Sequence, residues 1–578
     1  MEISPYLCAM NEKRWIRKPE LTPEQQQAAN DLMQSIYVDR FLATLLAQRN
    51  IKNFESAKDF FRPELSQLHD PFLMQDMSVA VERLSQAMAQ GEKILIYGDY
   101  DVDGTTSVAL FYGFLRKIYD KLDYYIPDRY AEGYGVSWQS IDWAQEHGFS
   151  LIVTLDCGIK SVDKVTEARH RGIDFIICDH HRPGADLPPA VAVLDPKRED
   201  CLYPYKELTG CGVGFKLLHA FCLHNGHDLE PLLNHLDLLV VSIAADIVPI
   251  TGENRVLAYF GLQRLNTTPC VGVKALIQVA GFSSALDITN VVFGLGPRIN
   301  AAGRIKHARE AVRLLLCDDE QDAQDFALEI NKHNLSRRTF DSTMTEEALA
   351  MIQNDTWLAD AKSTVLFKED WHKGVIGIVA SRCIEHFHRP TIILTQSNGK
   401  AAGSARSVPG FDVYEAIEEC AELLEQFGGH TFAAGLTLPV ENVDAFRQKF
   451  EEIVSSRILP EQLIPRIEVD LELELSAISP KFYKVMRQMA PFGPGNMTPV
   501  FATHGVHVAG RPTIMKEKHI KFEVFQGDSP PYTAVGFGMA HLYPDLMSGK
   551  PFSICYCVEE NNFRGKQSLQ LYLKDVKF

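Results

Sequence analysis

No two of the twelve cysteines form a Cys-x-x-Cys pair, and only Cys555 and Cys557 stand close together. Zinc ribbons and redox dithiols therefore find no support, and the cysteines read as small, reduced, buried side chains. No stretch approaches the roughly 20 uninterrupted apolar residues of a membrane helix, so no membrane partner is expected. The opening MEISPYLCAMNEKRW lacks an apolar signal core, and the expected location is the cytoplasm. A Walker pattern and a well-placed Gly-x-Gly-x-x-Gly are also missing, which leaves nucleotide-cofactor chemistry without support. Positive charge is in deficit, with 58 Lys and Arg against 75 Asp and Glu and a net charge of −17. Taken alone, that weighs against a nucleic-acid partner. The argument weakens where carboxylates are gathered to hold cations, because bound metal cancels them.

The carboxylates are gathered. Residues 93–106, KILIYGDYDVDGTT, place an apolar run ahead of Gly98 and then Asp99, Asp101 and Asp103. The run is too short for a helix and reads as a parallel strand buried on both faces. Thr105 and Thr106 read as the N-cap of a helix through SVALFYGFLRKI. Residues 93–250 alternate such runs with amphipathic stretches, the pattern of βαβ units. SLIVTLDCG closes on Asp156 and DFIICDHH on Asp179, His180 and His181, while Asp246 terminates the apolar run of the helical-looking PLLNHLDLLVVSIAADIVP. One aspartate after a strand is a turn residue or a cap. Repetition reads differently, because parallel strands deliver their carboxyl ends to one edge of the sheet. Asp101, Asp103, Asp156, His180 and Asp246 are expected to converge there. Such a mixed oxygen and nitrogen set suits two Mn²⁺ or Mg²⁺ ions, bridged by Asp156, for in-line displacement at phosphorus.

Further along, GLGPRINAAGRI offers Arg298, Asn300 and Arg304 among small residues that let backbone approach a ligand, and these are read as phosphate contacts. A second α/β domain begins near residue 364, with strands at 364–368 and 391–395 and a helix through 374–386, where Gly374 and Gly377 read as packing glycines. After Pro460 and Pro465, five strand-like runs between 499 and 578 fit a barrel of the OB type. Lys516, Lys518 and Lys521, with Phe522 and Phe525, are its candidate single-strand contacts.

In order, GDYDVDG, LDCG, DHH and AADIVP resemble the DHH phosphoesterase superfamily. GLGPRINAAGRI, WHKGVIGIVASR, GSARSVPGFDV and GGHTFAAG narrow the resemblance to the RecJ single-stranded-DNA exonucleases. The resemblance implies an α/β chain: a helical segment at 1–75, a parallel-sheet DHH domain at 76–320, a connecting helix at 321–355, a DHHA1 domain at 356–458 and an OB-like domain at 459–578. It implies that Asp101, Asp103, Asp156, His180 and Asp246 hold two Mn²⁺ or Mg²⁺ ions. Asp99 either joins them or supports them from behind, since Tyr97 stands where pyrophosphatase relatives carry a histidine. His181 would face the scissile phosphate, stabilising the transition state or protonating the leaving group, with Arg298 countering the developing charge. Ser404 and Arg406, with Gly428, Gly429 and His430, would form a pocket for a terminal phosphate. The implied activity is 5′→3′ degradation of single-stranded DNA to mononucleotides in recombination and mismatch repair, by a monomer working with single-strand-binding protein and a helicase. Two rivals stay open: a DHH phosphodiesterase for short oligonucleotides or cyclic dinucleotides, and an inert replication scaffold, against which the intact carboxylates argue.

Overall fold

The apolar runs between residues 94 and 194 form a five-stranded, wholly parallel sheet in the computed structural model, which describes residues 13–563 and 566–578. Its strands are β1 (Ile94–Gly98), β2 (Leu122–Tyr125), β3 (Leu151–Leu155), β4 (Asp174–Cys178) and β5 (Ala192–Leu194), ordered β2-β1-β3-β4-β5. Alternate side chains feed two separate cores, which is why the runs are apolar without a break. Ile94, Ile96, Val153 and Ile176 pack with helices α1 (Val102–Leu115), α2 (Gly210–Asn225) and α3 (Leu236–Ala245). Leu95, Tyr97, Ile152 and Ile177 pack on the other face with Ile141 and Val165. With this strand order, the chain leaves β1 and β3 in opposite directions across the sheet. That opens a crevice at their carboxyl ends.

One local expectation changes and another holds. The helix after β1 begins at Val102 and not beyond Thr106, because Asp101 is its N-cap and accepts the Gly104 N–H at 3.1 Å. Thr105 and Thr106 lie inside the helix, their hydroxyls donating back to the carbonyls of Asp101 and Val102 at 2.6 and 2.7 Å. The helical-looking run before Asp246 is α3, and Asp246 is its C-cap.

Residues 22–335, with 485–498, make one compact unit. It includes α4 (Gly296–Ile305), entered through a π-helical turn at Val291–Leu295, so that the Gly- and Ala-rich stretch carrying Arg298, Asn300 and Arg304 is itself helical. Helix α5 (Glu320–Asn354) is 35 residues long, about 52 Å at 1.5 Å per residue. The chain passes from the first unit to the second within it, between Leu335 and Ser336.

The second unit holds a mixed sheet and a barrel. The sheet comprises β6 (Thr364–Phe367), β7 (Thr391–Ser397), β8 (Lys400–Arg406), β9 (Gln426–His430) and β10 (Ala433–Leu438) in the order β9-β10-β8-β7-β6. Helix α6 (Ile376–Phe387) is linked to β6 by the WHKG turn. The barrel uses β11 (Leu471–Glu472), β12 (Phe501–Met515), β13 (His519–Phe525), β14 (Tyr532–Gly536), β15 (Phe552–Phe563) and β16 (Lys566–Lys577), and the pairing of β12 with β15 closes it. The five strand-like runs are all strands, joined by the two-residue β11. Phe522, offered above as a DNA contact, is 3 % exposed and belongs to the barrel core.

The N-terminal segment expected to be helical starts, as described, with a strand. Arg14–Arg17 pairs in parallel with Arg466–Val469, and only then come helices at Pro23–Ser35, Arg40–Gln48 and Phe54–Phe61. Residues 1–12 of that segment lie outside the described residues. Among the described residues, no helix is long and apolar enough to cross a membrane.

Candidate metal centre

The crevice at the ends of β1 and β3 collects the acidic residues. Asp99, Asp101 and Asp156 offer carboxylate oxygens that lie within 4.8 Å of one another, and Asp103, His180 and Asp246 form a second such set. The sets meet at His180, whose Nε2 lies 3.1 Å from Asp156 Oδ1, 3.6 Å from Asp246 Oδ2 and 3.7 Å from Asp103 Oδ2. Asp99 is therefore drawn into the cluster. It is 1 % exposed, and its Oδ1 has no hydrogen-bond partner.

Each ligand is set by its local fold. Asp103 is the most tightly held: Oδ2 accepts the Gly210 N–H at 2.7 Å, and Oδ1 accepts the Cys211 N–H at 2.9 Å and the Ser242 hydroxyl at 2.7 Å. The first turn of α2 thus points its free N–H groups at a carboxylate. A Cβ on Gly210 would sit 2.4 Å from Asp156 Cβ, so only glycine admits the two elements at this spacing. Asp156 itself has φ +62°, and Ile247, next to Asp246, has φ +59°. Left-handed backbone at non-glycine residues stores strain, and here it brackets the ligand set.

The electrostatics are those of carboxylates crowded together with little protein counter-charge. Burial, then the charges of Asp103, Asp101, Asp246 and Asp99, hold Asp156 well above the usual carboxylate range. Burial and Asp101 do the same to Asp99, and burial with Asp103 raises Asp101. Burial, then Asp103 and Asp101, push Asp246 up to about 8. Burial lowers His180 from the usual imidazole range, against the charge of Asp103, and so favours the neutral ring that a metal ligand presents. Among the described residues, the ion-pair contacts of Asp103, Asp156 and Asp246 are with imidazole alone. A hard divalent cation fits this donor set, satisfying the orphaned Asp99 oxygen and the mutual repulsion at once.

His181 is held differently. Its Nδ1 lies 2.8 Å from Asp179 Oδ1, which also accepts the backbone N–H groups of His180 and His181 at 2.8 and 3.1 Å. Burial opposes the imidazolium, but the hydrogen bond and charge of Asp179 outweigh it and raise His181 to about 9. Tyr134 Oη lies 3.2 Å from the same Nδ1. The sequence showed Asp179 at a strand end without indicating its role, and it gave no sign of Tyr134, Ser242 or the Gly210–Cys211 amides. Arg129 was also passed over; its guanidinium stacks 4.7 Å above the ring of Tyr100, between Asp99 and Asp101. A signal was present in PDRYAEGYG, where arginine and aromatics alternate with glycine.

The expected phosphate contacts sit nearby in part. Tyr130 Oη donates to the Arg304 carbonyl at 2.7 Å, and Gly303 comes so close to the Tyr100 carbonyl that a Cβ would lie 2.8 Å away. Arg298 donates from Nη1 to the Gly294 carbonyl at 2.6 Å and from Nε to Asn331 at 3.0 Å.

Ser404, Arg406, Gly428, Gly429 and His430 belong to the other unit. Ser404 and Gly428 both pair with Gly435, while Arg406 and His430 both pair with Ala433, so two rows run across β8, β10 and the edge strand β9. Arg406 Nη1 donates to Ser404 Oγ at 3.0 Å. Gly377, in the first turn of α6, abuts this pair, since a Cβ there would lie 2.8 Å from Ser404 Oγ. The two glycines of β9 differ. A Cβ on Gly429 would meet the Ala433 carbonyl at 2.3 Å, whereas one on Gly428 would meet nothing within 4 Å.

Against known families, residues 93–243 match the DHH family N-terminal domain, 360–456 the DHHA1 domain and 469–575 the RecJ OB domain. The single-stranded-DNA-specific exonuclease RecJ of Bacillus subtilis is 38 % identical over 569 residues, covering 97 % of this chain and 70 % of that protein. Its counterpart in Escherichia coli is 34 % identical, covering 86 % of this chain and 89 % of the other. The crystal structure of RecJ from Thermus thermophilus in complex with Mn²⁺ superposes with a TM-score of 0.83 at 28 % identity, over 98 % of this chain and 79 % of that one. Likeness of this extent, running through all three domains in the same order, reflects common descent and not merely a shared fold, and the chain belongs to the RecJ family of single-stranded-DNA-specific exonucleases.

Proposed function

We infer that the chain is a metal-dependent exonuclease that degrades single-stranded DNA 5′→3′ to mononucleotides, using two Mn²⁺ or Mg²⁺ ions, in DNA repair and recombination. The observation that carries this reading is the convergence of Asp103, Asp156 and Asp246 on His180, with Asp99 and Asp101 gathered on Asp156. Asp99, Asp101 and Asp156 would hold one ion and Asp103, His180 and Asp246 the other, with Asp156 placed to share. Bound ions at such a site supply charge neutralisation, a lowered pKa for water and polarisation of the phosphate.

The remaining work belongs to the chain's own groups. Asp103, fixed by three donors, presets the ligand geometry so that little reorganisation accompanies binding. Asp179 orients His181 and stabilises its imidazolium, which then faces negative charge developing on the phosphate or gives a proton to the leaving oxygen. Arg298, Asn300 and Arg304 are assigned to phosphates of the bound strand, Arg298 also countering charge in the transition state. Ser404 and Arg406, with the open backbone at Gly428, Gly429 and His430, are assigned to the terminal 5′ phosphate. Single-strand-binding protein and a helicase are the proposed partners, the cytoplasm the compartment and the monomer the working form.

The test is a time course on single-stranded DNA labelled separately at its 5′ and 3′ ends, with duplex and cyclic-dinucleotide controls, in Mn²⁺ and in EDTA. The 5′ label should appear at once as mononucleotide, from single strands and with metal only. Cleavage of the cyclic dinucleotide with DNA left whole would overturn the reading, and so would early release of the 3′ label.

A further inference from the structure

In a chain of net charge −17, one cavity of the second unit is strongly basic. It has a volume of about 690 Å³ and is lined by five cationic side chains, Lys13, Arg14, Lys362, Arg389 and Lys577, against a single carboxylate, Asp360. The cations come from far apart in sequence: the start of the N-terminal strand, the turn before β6, the end of α6 and the last residues of β16. None of the five makes ion-pair contact with a carboxylate among the described residues. Lys13 Nζ donates to the Lys574 carbonyl at 3.1 Å, Lys362 Nζ to the Ser455 carbonyl at 3.4 Å, and Lys577 Nζ lies 5.0 Å above the Trp15 ring.

Arg389 is the most telling of them. It is 4 % exposed and donates from Nε to Thr364 Oγ1 at 2.8 Å and from Nη1 to the Leu358 carbonyl at 2.8 Å, yet its Nη2 has no hydrogen-bond partner. A buried guanidinium without a carboxylate is costly, and an anion in the adjoining cavity would offset that cost. The cavity also has an apolar wall, formed by Phe387, Leu463 and Ile464 with Pro460 and Pro465. Its size is that of a small-molecule site, roughly 300–1,000 Å³.

We propose that this cavity binds a nucleoside polyphosphate, with Lys13, Arg14, Lys362 and Lys577 around the phosphates and the base against Phe387 and Leu463. The excess of cations matches a polyphosphate better than a single phosphate, and the apolar wall gives the base a place that pyrophosphate alone would leave empty. The site owes nothing to a Walker loop, which the chain lacks, and its residues are separate from the carboxylate crevice.

The experiment is calorimetric titration of the full chain, in EDTA, with ATP, AMP and pyrophosphate. EDTA keeps metal-bound nucleotide out of the carboxylate crevice. ATP should bind saturably, one per chain, more tightly than either of the other two. The exposed double variant Arg14→Glu/Lys577→Glu should weaken it by roughly tenfold or more while leaving the rate of single-stranded DNA hydrolysis unchanged. Absence of saturable binding overturns the proposal. Equal binding of pyrophosphate and ATP, an unaltered affinity in the double variant, or displacement of ATP by a single-stranded oligonucleotide would overturn it as well, the last marking the cavity as part of a nucleic-acid track.

Discussion

At the scale of single residues, the site divides into groups that hold charge and groups that hold those groups. Asp156 is the first kind. Asparagine tolerates its left-handed backbone and keeps its shape, so Asp156→Asn should abolish hydrolysis even at saturating Mn²⁺ while leaving the fold intact. The metal-free variant should also melt higher than the metal-free parent at neutral pH and above, because asparagine needs neither the buried charge nor the proton uptake that the carboxylate requires there. Turnover retained in the end-labelled assay would contradict the shared-ligand role. Asp179 is the second kind. Asp179→Asn keeps an acceptor for the backbone amides but removes the charge behind His181, and kcat should fall about 10–100-fold with the Mn²⁺ requirement unchanged. A matching loss of Mn²⁺ affinity would make Asp179 a ligand support and not a partner of His181.

At the scale of elements, the hairpin β9–β10 separates two uses of glycine. Gly429→Ala forces a Cβ against the Ala433 carbonyl and should cost about 1–3 kcal/mol, seen as a lower melting temperature. Gly428→Ala meets nothing. It should leave melting alone and slow the use of 5′-phosphorylated ends, measured against unphosphorylated ends; equal slowing on both would remove Gly428 from the terminal-phosphate pocket. What could be read in the sequence follows the same division between local and distant causes. Strands β1, β3 and β4 were legible because burial on both faces leaves continuous apolar runs, and their acidic ends were legible because the next residues are adjacent in the chain. The start of α1 was misplaced because aspartate and threonine both cap, and only the backbone shows that Asp101 does so. Asp246 was legible as the end of the helical-looking run PLLNHLDLLVVSIAADIVP, and it is the C-cap of that helix. The strand Arg14–Arg17 was invisible, because its partner Arg466–Val469 lies far along the chain. The Gly210 and Cys211 amides escaped for the same reason, as main-chain donors carry no side-chain signature.

At the scale of the whole molecule, the crevice makes stability a function of pH and metal. Carboxylates such as Asp246, raised to about 8, bind protons in the folded chain that the unfolded chain releases near pH 4. Their contribution is therefore full at low pH and is lost as pH rises towards about 8. Two buried histidines act in the opposite sense. Burial lowers His219 and His235 to about 4, so their contribution is present above about pH 6.5 and is lost as pH falls towards 4. Below about pH 6.5 the two trends oppose each other; above it the carboxylates act alone, and the metal-free chain should melt progressively lower as pH rises from about 6.5 to 8. Added Mn²⁺ should raise the melting temperature by an increment that grows with pH, since the ion replaces the protons. Calorimetry across that range in EDTA and in Mn²⁺ checks both statements, and an increment independent of pH would show that the carboxylates are not the binding groups.

The left-handed backbone at Asp156 has a consequence for descent. A lineage released from selection for hydrolysis would find glycine and asparagine favoured at this position, since both relax the backbone and discard a buried charge. Loss of catalysis here would be rewarded with stability, so an inert descendant would carry its history as Gly or Asn at the end of β3 while the rest of the sheet persisted. Retention of aspartate, against that pull, marks a chain still selected for what the carboxylate does.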